Sequence, residues 1–349
     1  MVGFLFCKGN LMRPSAIKKA IERAFAAGLV PFIKGSPGIG KSAIIRQIAK
    51  EARLLVIDLR LGQCDPTDLL GFPNIENGRS VYHPPKDIPI VGDAVPEGCN
   101  GWLLFLDEMN TAPKAVQAAA YKLLDGMVGQ TKLHPQVYIA AAGNKDTDGA
   151  ITTTMSSATL SRIVSMELEV NFDDWSVWAI AEKIDHRILS FLNFKKELFH
   201  KFDPKNLRET FPCPRTWDFT NRAINGLEVD IKTDLGLLSG VIGRGAAREF
   251  IEYCAIYGDV SSIEEILANP EGIVIKDRPD IKFAYAGYAA SSITVENAPQ
   301  LMKFINRLPV EFQIVALSNA FKAKPMISAV PEVMDWVTRY ANDSGEGML

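Results

Sequence analysis

The run Gly35-Ser36-Pro37-Gly38-Ile39-Gly40-Lys41-Ser42 constrains this chain more than any other feature. It fits the pattern G-x-x-x-x-G-K-[ST], in which closely spaced glycines let successive backbone N–H groups curl around an anion while a helix N-terminus adds partial positive charge. Its flanks are those the pattern needs. Leu29 to Lys34 is a short apolar run of strand type, and Ile44, Ile45, Ile48, Ala49 and Ala52 make one apolar stripe on a helix beginning near Lys41. A loop so placed predicts a bound nucleoside triphosphate, held by Gly35 to Ser42 and the following Ala43. Lys41 would reach the β- and γ-phosphates, and the Ser42 hydroxyl would take one coordination position on Mg2+.

Around this loop, strand-like and helix-like segments alternate. A helix starting near Ser15 carries Ile17, Ala20, Ile21, Ala24 and Phe25 on one face and is stopped by Gly28. Leu54 to Asp58 reads as a strand. The six prolines between Arg60 and Asn100 exclude one long helix there and predict an insertion, with a hairpin at Asn77-Gly78. Trp102 to Leu106 is a buried strand ending in Asp107-Glu108. A helix follows with Val116, Ala119, Ala120, Leu123 and Leu124 on one stripe, then a strand over Val137 to Ala142 ending in Gly143-Asn144, and a last strand over Ile163 to Leu168. Such alternation implies a three-layer α/β fold on a parallel sheet, whose ligands bind at the carboxyl ends of the strands. Asp107, Glu108 and Asn144 all lie at such ends.

An acidic pair by itself is a solvated turn more often than a site. Downstream of a phosphate loop and at the end of a buried strand, it predicts an Asp that holds Mg2+ and a Glu that polarises an attacking water. This favours hydrolysis over phosphoryl transfer to a metabolite. With 349 residues, 47% hydrophobic and 23% charged, the chain has the composition of about two globular domains. A formal net charge of −3 gives no general pull toward nucleic acid. The cysteines Cys7, Cys64, Cys99, Cys213 and Cys254 form no C-x-x-C pair, which argues against a disulfide framework or zinc site and suits a reducing cytosol. No apolar run approaches the ~20 residues of a membrane span, and no export signal opens the sequence. A cytoplasmic protein is expected. His83, His134, His186 and His200 lack metal spacing, and the basic stretch Lys195, Lys196, His200, Lys201, Lys205 and Arg208 is expected to be a solvated helix face, with nucleic-acid contact as the alternative.

Over residues 11–225 the chain resembles the AAA+ ATPases, and within them the MoxR-like group. The run Asp107-Glu108-Met109-Asn110-Thr111-Ala112-Pro113-Lys114-Ala115-Val116-Gln117 is similar to the group's acidic pair followed by Asn, a Pro-containing turn and a helix beginning with Val-Gln. The resemblance implies ATP and Mg2+ as cofactors. It makes Asn144 sensor 1, which orients the lytic water, Arg162 in Leu160-Ser161-Arg162 the arginine finger, and Arg215 after Pro214 sensor 2. The Thr- and Ser-rich segment from Asp146 to Ser157 departs from the family's usual spacer. Ring formation, usually as hexamers, and a client protein, often with a partner bearing a von Willebrand factor A domain, are also implied. The expected function is that of an ATP-hydrolysing ring ATPase that remodels a partner protein. An AAA+ motor or loader acting on DNA and a nucleotide-gated scaffold with little turnover are the alternatives.

The expected domains are a nucleotide-binding domain over 1–171 with its insertion at about 60–100, a helical lid over 172–255, and a helical extension over 256–349. The resemblance makes Asp173 the cap of the first lid helix, whose region carries Trp178, Ile180, Ile184, Ile188 and Leu189 as apolar positions. The helix after Arg215 is read with Phe219, Ala223 and Ile224 as core. Farther on, Ser261 to Glu265 looks like a capping box. Leu301, Phe304, Ile305 and Leu308, then Val330, Val333, Met334 and Val337, form helical stripes, and the polar end from Asn342 to Leu349 is expected to fray. Within the insertion, Leu69 to Pro73 and Val81-Tyr82 either meet a client or pack onto the sheet.

Overall fold

The computed structural model describes residues 11–148, 153–205, 209–256 and 260–344; Cys7, Arg208 and the stretch 345–349 fall outside them. The chain divides into two compact units, 1–171 with 203–207, and 172–202 with 208–349.

The first unit runs β1 (Leu11–Met12), α1 (Pro14–Ala26), β2 (Val30–Lys34), α2 (Lys41–Glu51), β3 (Leu54–Arg60), α3 (Pro66–Leu70), β4 (Phe72–Glu76), β5 (Arg79–His83), β6 (Gly101–Asp107), α4 (Lys114–Leu124), β7 (Met127–Val128), β8 (Thr131–Lys132), β9 (Val137–Gly143), α5 (Ser157–Leu160) and β10 (Ile163–Leu168). Among the described residues, six strands form one sheet in the order β1-β10-β2-β9-β6-β3, and every pairing in it is parallel. Side chains alternate across a strand, and both faces of this sheet are covered. Leu104 and Leu106 join Phe32, Ile139 and the α4 stripe Val116, Ala119, Ala120, Leu123 and Leu124 in one core. Leu103 and Phe105 join Ile33, Ala140, Ile17 and Ile21 of α1, and Ile45 and Ile48 of α2 in the other. This double burial is why the central strands read as unbroken apolar runs.

In the insertion, β4 and β5 pair antiparallel through Glu76↔Arg79. The turn residues Asn77 and Gly78 have φ of 52° and 73°, the positive values that a two-residue hairpin turn of matching twist requires. The apolar run before the hairpin divides: Leu69 is fully buried, whereas Phe72 is exposed.

In the second unit the described α-helices are α6 (Phe172–Ala181), α7 (His186–Phe194), α8 (Pro214–Ile224), α9 (Ile231–Ile242), α10 (Arg244–Ile256), α11 (Ile263–Ala268), α12 (Pro279–Ser292), α13 (Ala298–Ile305), α14 (Val310–Ala323) and α15 (Pro331–Ser344), and among the described residues it contains no strand. One core gathers Phe191, Trp217, Phe250 and Tyr253 around tilted and edge-on ring contacts. Here α7 and α12 approach closely, since a Cβ on Gly287 would lie 2.6 Å from the Ser190 Cβ. A second core packs Leu301, Phe304, Ile305, Leu308, Val333 and Trp336. Ser262 caps α11, its Oγ accepting from Glu265 N–H at 3.2 Å while Glu265 Oε2 accepts from Ser262 N–H at 3.1 Å.

Several local expectations are corrected. The helix α6 begins at Phe172, so Asp173 sits inside the first turn, where its charge faces the helix N-terminus. The long helical region breaks between α6 and α7, where Lys183 has φ of 56°. On α8 the buried face is Trp217, Thr220 and Ile224, and Phe219 is exposed beneath Arg222. On α15 Trp336 takes the inward place expected of Met334, which is exposed. The basic stretch is no helix face: Lys195 ends α7, and Lys196–Leu198 form a single tight turn. Of the end expected to fray, residues 342–344 belong to α15, and the rest lies outside the described residues. Among the described residues no helix is long and apolar enough to cross a membrane.

Candidate functional site

The loop between β2 and α2 depends on two backbone conformations. Gly38 and Gly40 have φ of 74° and 103°, the region that strains residues with a Cβ. Gly40 is also the N-cap of α2, and glycine brings no side chain to satisfy the first-turn N–H groups. Those groups have no acceptor within the helix itself, so Lys41, Ser42 and Ala43 present amides and a helix dipole to whatever the loop holds. The Lys41 side chain folds back over the loop, its Nζ donating to Gly35 O at 2.6 Å and Ser36 O at 2.9 Å.

Sheet order brings the remaining groups alongside. The strand β9 lies between β2 and β6, so the carboxyl ends of these three strands are neighbours. Asn144, just past β9, accepts from Lys41 Nζ at 3.0 Å through its Oδ1. From the end of β6, Asp107 Oδ2 accepts the Ser42 hydroxyl at 2.9 Å. Asp107 Oδ1 accepts the N–H of Glu108 at 2.9 Å. Glu108 itself has φ of 58°, a left-handed backbone that costs a residue bearing a Cβ about 1–2 kcal/mol. The turn is held by Thr111, whose N–H and hydroxyl both donate to Glu108 O at 2.9 Å. The Glu108 carboxylate lies against Gly62, where a Cβ would come within 3.1 Å of Oε2.

The first unit therefore brings together Gly35 to Ala43, Asp107, Glu108 and Asn144. It does not bring Arg162 to them. Arg162 immediately precedes β10, whose register with β2 pairs Ile163 with Val30 and Glu167 with Lys34. In a parallel sheet this puts Arg162 at the amino ends of the strands, a strand length away from the loop. A five-residue strand spans about 16 Å. There Arg162 is held within its own chain: Nε donates to Asp125 Oδ1 at 2.6 Å, Nη1 donates to Ala158 O at 3.1 Å, and the guanidinium lies 4.0 Å over the Tyr121 ring. The hydrogen bond to Asp125 raises the Arg162 pKa above its ordinary value. Arg215 belongs to the second unit, exposed on the first turn of α8.

Three contributors have no role assigned by the sequence reading: Asn110, which binds the main chain of Asn144, the Asp125–Tyr121 seat of Arg162, and Gly62. Only Asn110 lay in a motif singled out by sequence.

Residues 31–163 match the family profile of the AAA domain (dynein-related subfamily). With the six-stranded parallel sheet and its flanking helices, this segment is a P-loop AAA+ fold, followed by a helical C-terminal region. No curated protein matches the chain significantly. Among solved structures, NtrX from Brucella abortus in complex with ADP is similar at 16% identity and a TM-score of 0.36, over 95% of this chain and 68% of that one. A mutant of RuvB from Thermotoga maritima is similar at 15% identity and a TM-score of 0.36, over 86% of each chain.

Proposed function

We propose that this chain is an ATP-hydrolysing ATPase of the MoxR-like AAA+ kind, assembling as a ring, in the usual case a hexamer, to remodel or activate a partner protein. The observation that carries this reading is the convergence of the loop, Lys41, Ser42, Asp107, Glu108 and Asn144 at three adjacent strand ends. The loop amides and Lys41 bind the triphosphate, Lys41 turning from the carbonyls of Gly35 and Ser36 to phosphate oxygens. Ser42 and Asp107 supply hard oxygen donors 2.9 Å apart, a set that suits Mg2+ and would hold it. Bound there, Mg2+ would neutralise charge on the transferring phosphoryl group. Glu108 takes the proton of the attacking water, and Asn144 orients that water. Arg162 is assigned to the neighbouring subunit's site, and Arg215 is proposed as sensor 2 on the family resemblance alone. Residues 172–255 are proposed as the lid and 256–349 as its extension.

Support for a protein client comes from the insertion, where Phe72 and Ile75 are 67% and 79% exposed on one hairpin. Three positions apart on one strand, they stand on opposite faces of the hairpin, and each offers apolar surface to a protein that clasps it. The test is ATP turnover of the purified chain with and without Mg2+, then with a partner protein encoded beside it or with duplex DNA. Turnover that requires Mg2+ and rises with the partner is expected. Stimulation by DNA alone would replace the reading with that of a DNA motor, and negligible turnover with every addition would replace it with that of a nucleotide-gated scaffold.

A further inference from the structure

Asn110 is 3% exposed, and its side-chain amide pairs with the main chain of a residue 34 positions away. Its Oδ1 accepts the N–H of Asn144 at 3.0 Å and its Nδ2 donates to Asn144 O at 2.7 Å. The amide thus does for residue 144 what a neighbouring strand would do, just past the end of β9. Gly143 makes the approach possible, because a Cβ there would lie 2.3 Å from Asn110 Oδ1. The next rung is main chain, Met109 N–H donating to Ala142 O at 2.9 Å. On the other side, Gly35 N–H donates to Gly143 O at 3.2 Å. Residues 142–144 are therefore clamped between the turn that carries Asp107 and Glu108 and the start of the phosphate loop.

We infer that Asn110 is a positioning residue for ATP hydrolysis: it fixes the main chain of Asn144 so that the Asn144 side chain faces Lys41 and the phosphate loop. The inference rests on the hydrolytic function proposed above. The Asn110 amide bonds the main chain of residue 144, so it sets where the side chain at 144 begins. Its effect on the reaction is exerted through that side chain. An amide is required, because one oxygen must accept from an N–H while the adjacent nitrogen donates to a C=O. In Asn110→Asp the second contact becomes a carboxylate facing a carbonyl oxygen, at nearly unchanged volume.

A double-mutant cycle tests this. Wild type, Asn110→Asp, Asn144→Ala and the double variant are compared for kcat, KM for ATP and melting temperature, with Asn110→Ser as the uncharged replacement if Asn110→Asp fails to fold. The expected result is a fall in kcat of about 10- to 100-fold in Asn110→Asp, the scale for groups that orient a catalytic ligand, with KM little changed. In the Asn144→Ala background the same substitution should cost nothing further in kcat. Losses that multiply in the double variant would overturn the inference, as would wild-type kcat in Asn110→Asp, or parallel loss of KM and melting temperature with kcat. Wild-type kcat in Asn144→Ala would overturn it as well, while leaving hydrolysis by this chain standing. Absence of turnover in the wild type would instead remove the proposed function itself.

Discussion

Lys41 binds two carbonyls of its own loop and the Oδ1 of Asn144, 103 residues farther along the chain. A flexible ammonium is a point charge that exchanges partners readily, and phosphate oxygens offer it more than neutral carbonyls do. Lys41→Ala is expected to abolish ATP binding in a calorimetric titration; near wild-type affinity would contradict the assignment. What made Lys41, Ser42, Asp107 and Glu108 legible in the sequence is that their chemistry is packed into short runs with a strand on one side and a helix on the other. The contacts of Asn110 with Asn144 and of Arg162 with Asp125 had no such signature. They join positions 34 and 37 residues apart, and which segments become neighbours is decided by sheet order, not by spacing along the chain.

Elements were legible to the degree that burial was simple. Strands β6 and β9 are covered on both faces, so their apolar runs mark them directly. The helix α8 misled because its buried face includes Thr220, fully covered, while an aromatic ring, Phe219, lies outside; an apolar count weighs those two positions the wrong way round. The same holds on α15, where Met334 and Trp336 are both apolar and only packing selects between them. In the insertion, a turn signal at Asn77-Gly78 predicts the hairpin, but nothing local says that Leu69 turns inward and Phe72 outward. The exposed apolar side chains of β4 set a prediction at this scale. Exchanging Phe72 and Ile75 for Ser should leave basal turnover unchanged and abolish stimulation by the partner protein, measured in the same ATPase assay. Full stimulation in the double variant would assign client contact elsewhere.

For the whole molecule, the consequential fact is that the first unit does not bring Arg162 to the groups proposed to act with it. Lys41 and Glu108 stand at the carboxyl ends of the strands, whereas Arg162 stands at the amino end of β10. A ring built head to tail places one end of each subunit against the other end of the next, a heterologous contact that closes by rotation. Arg162→Ala should therefore slow turnover by orders of magnitude, as loss of an arginine finger does elsewhere, with a far smaller change in ATP affinity. Mixing Arg162→Ala with Lys41→Ala subunits, each inactive alone, should restore part of the activity once labelled subunits show exchange. Wild-type turnover of Arg162→Ala by itself would sink the assignment.

Turnover and nucleotide retention measured side by side in the wild type and in Glu108→Gln test the central claim most directly. The substitution keeps the shape of the side chain and removes the base. The wild type is predicted to hydrolyse ATP in the presence of Mg2+, while Glu108→Gln binds ATP with similar affinity and retains it unhydrolysed. Turnover of Glu108→Gln at the wild-type rate would contradict the claim.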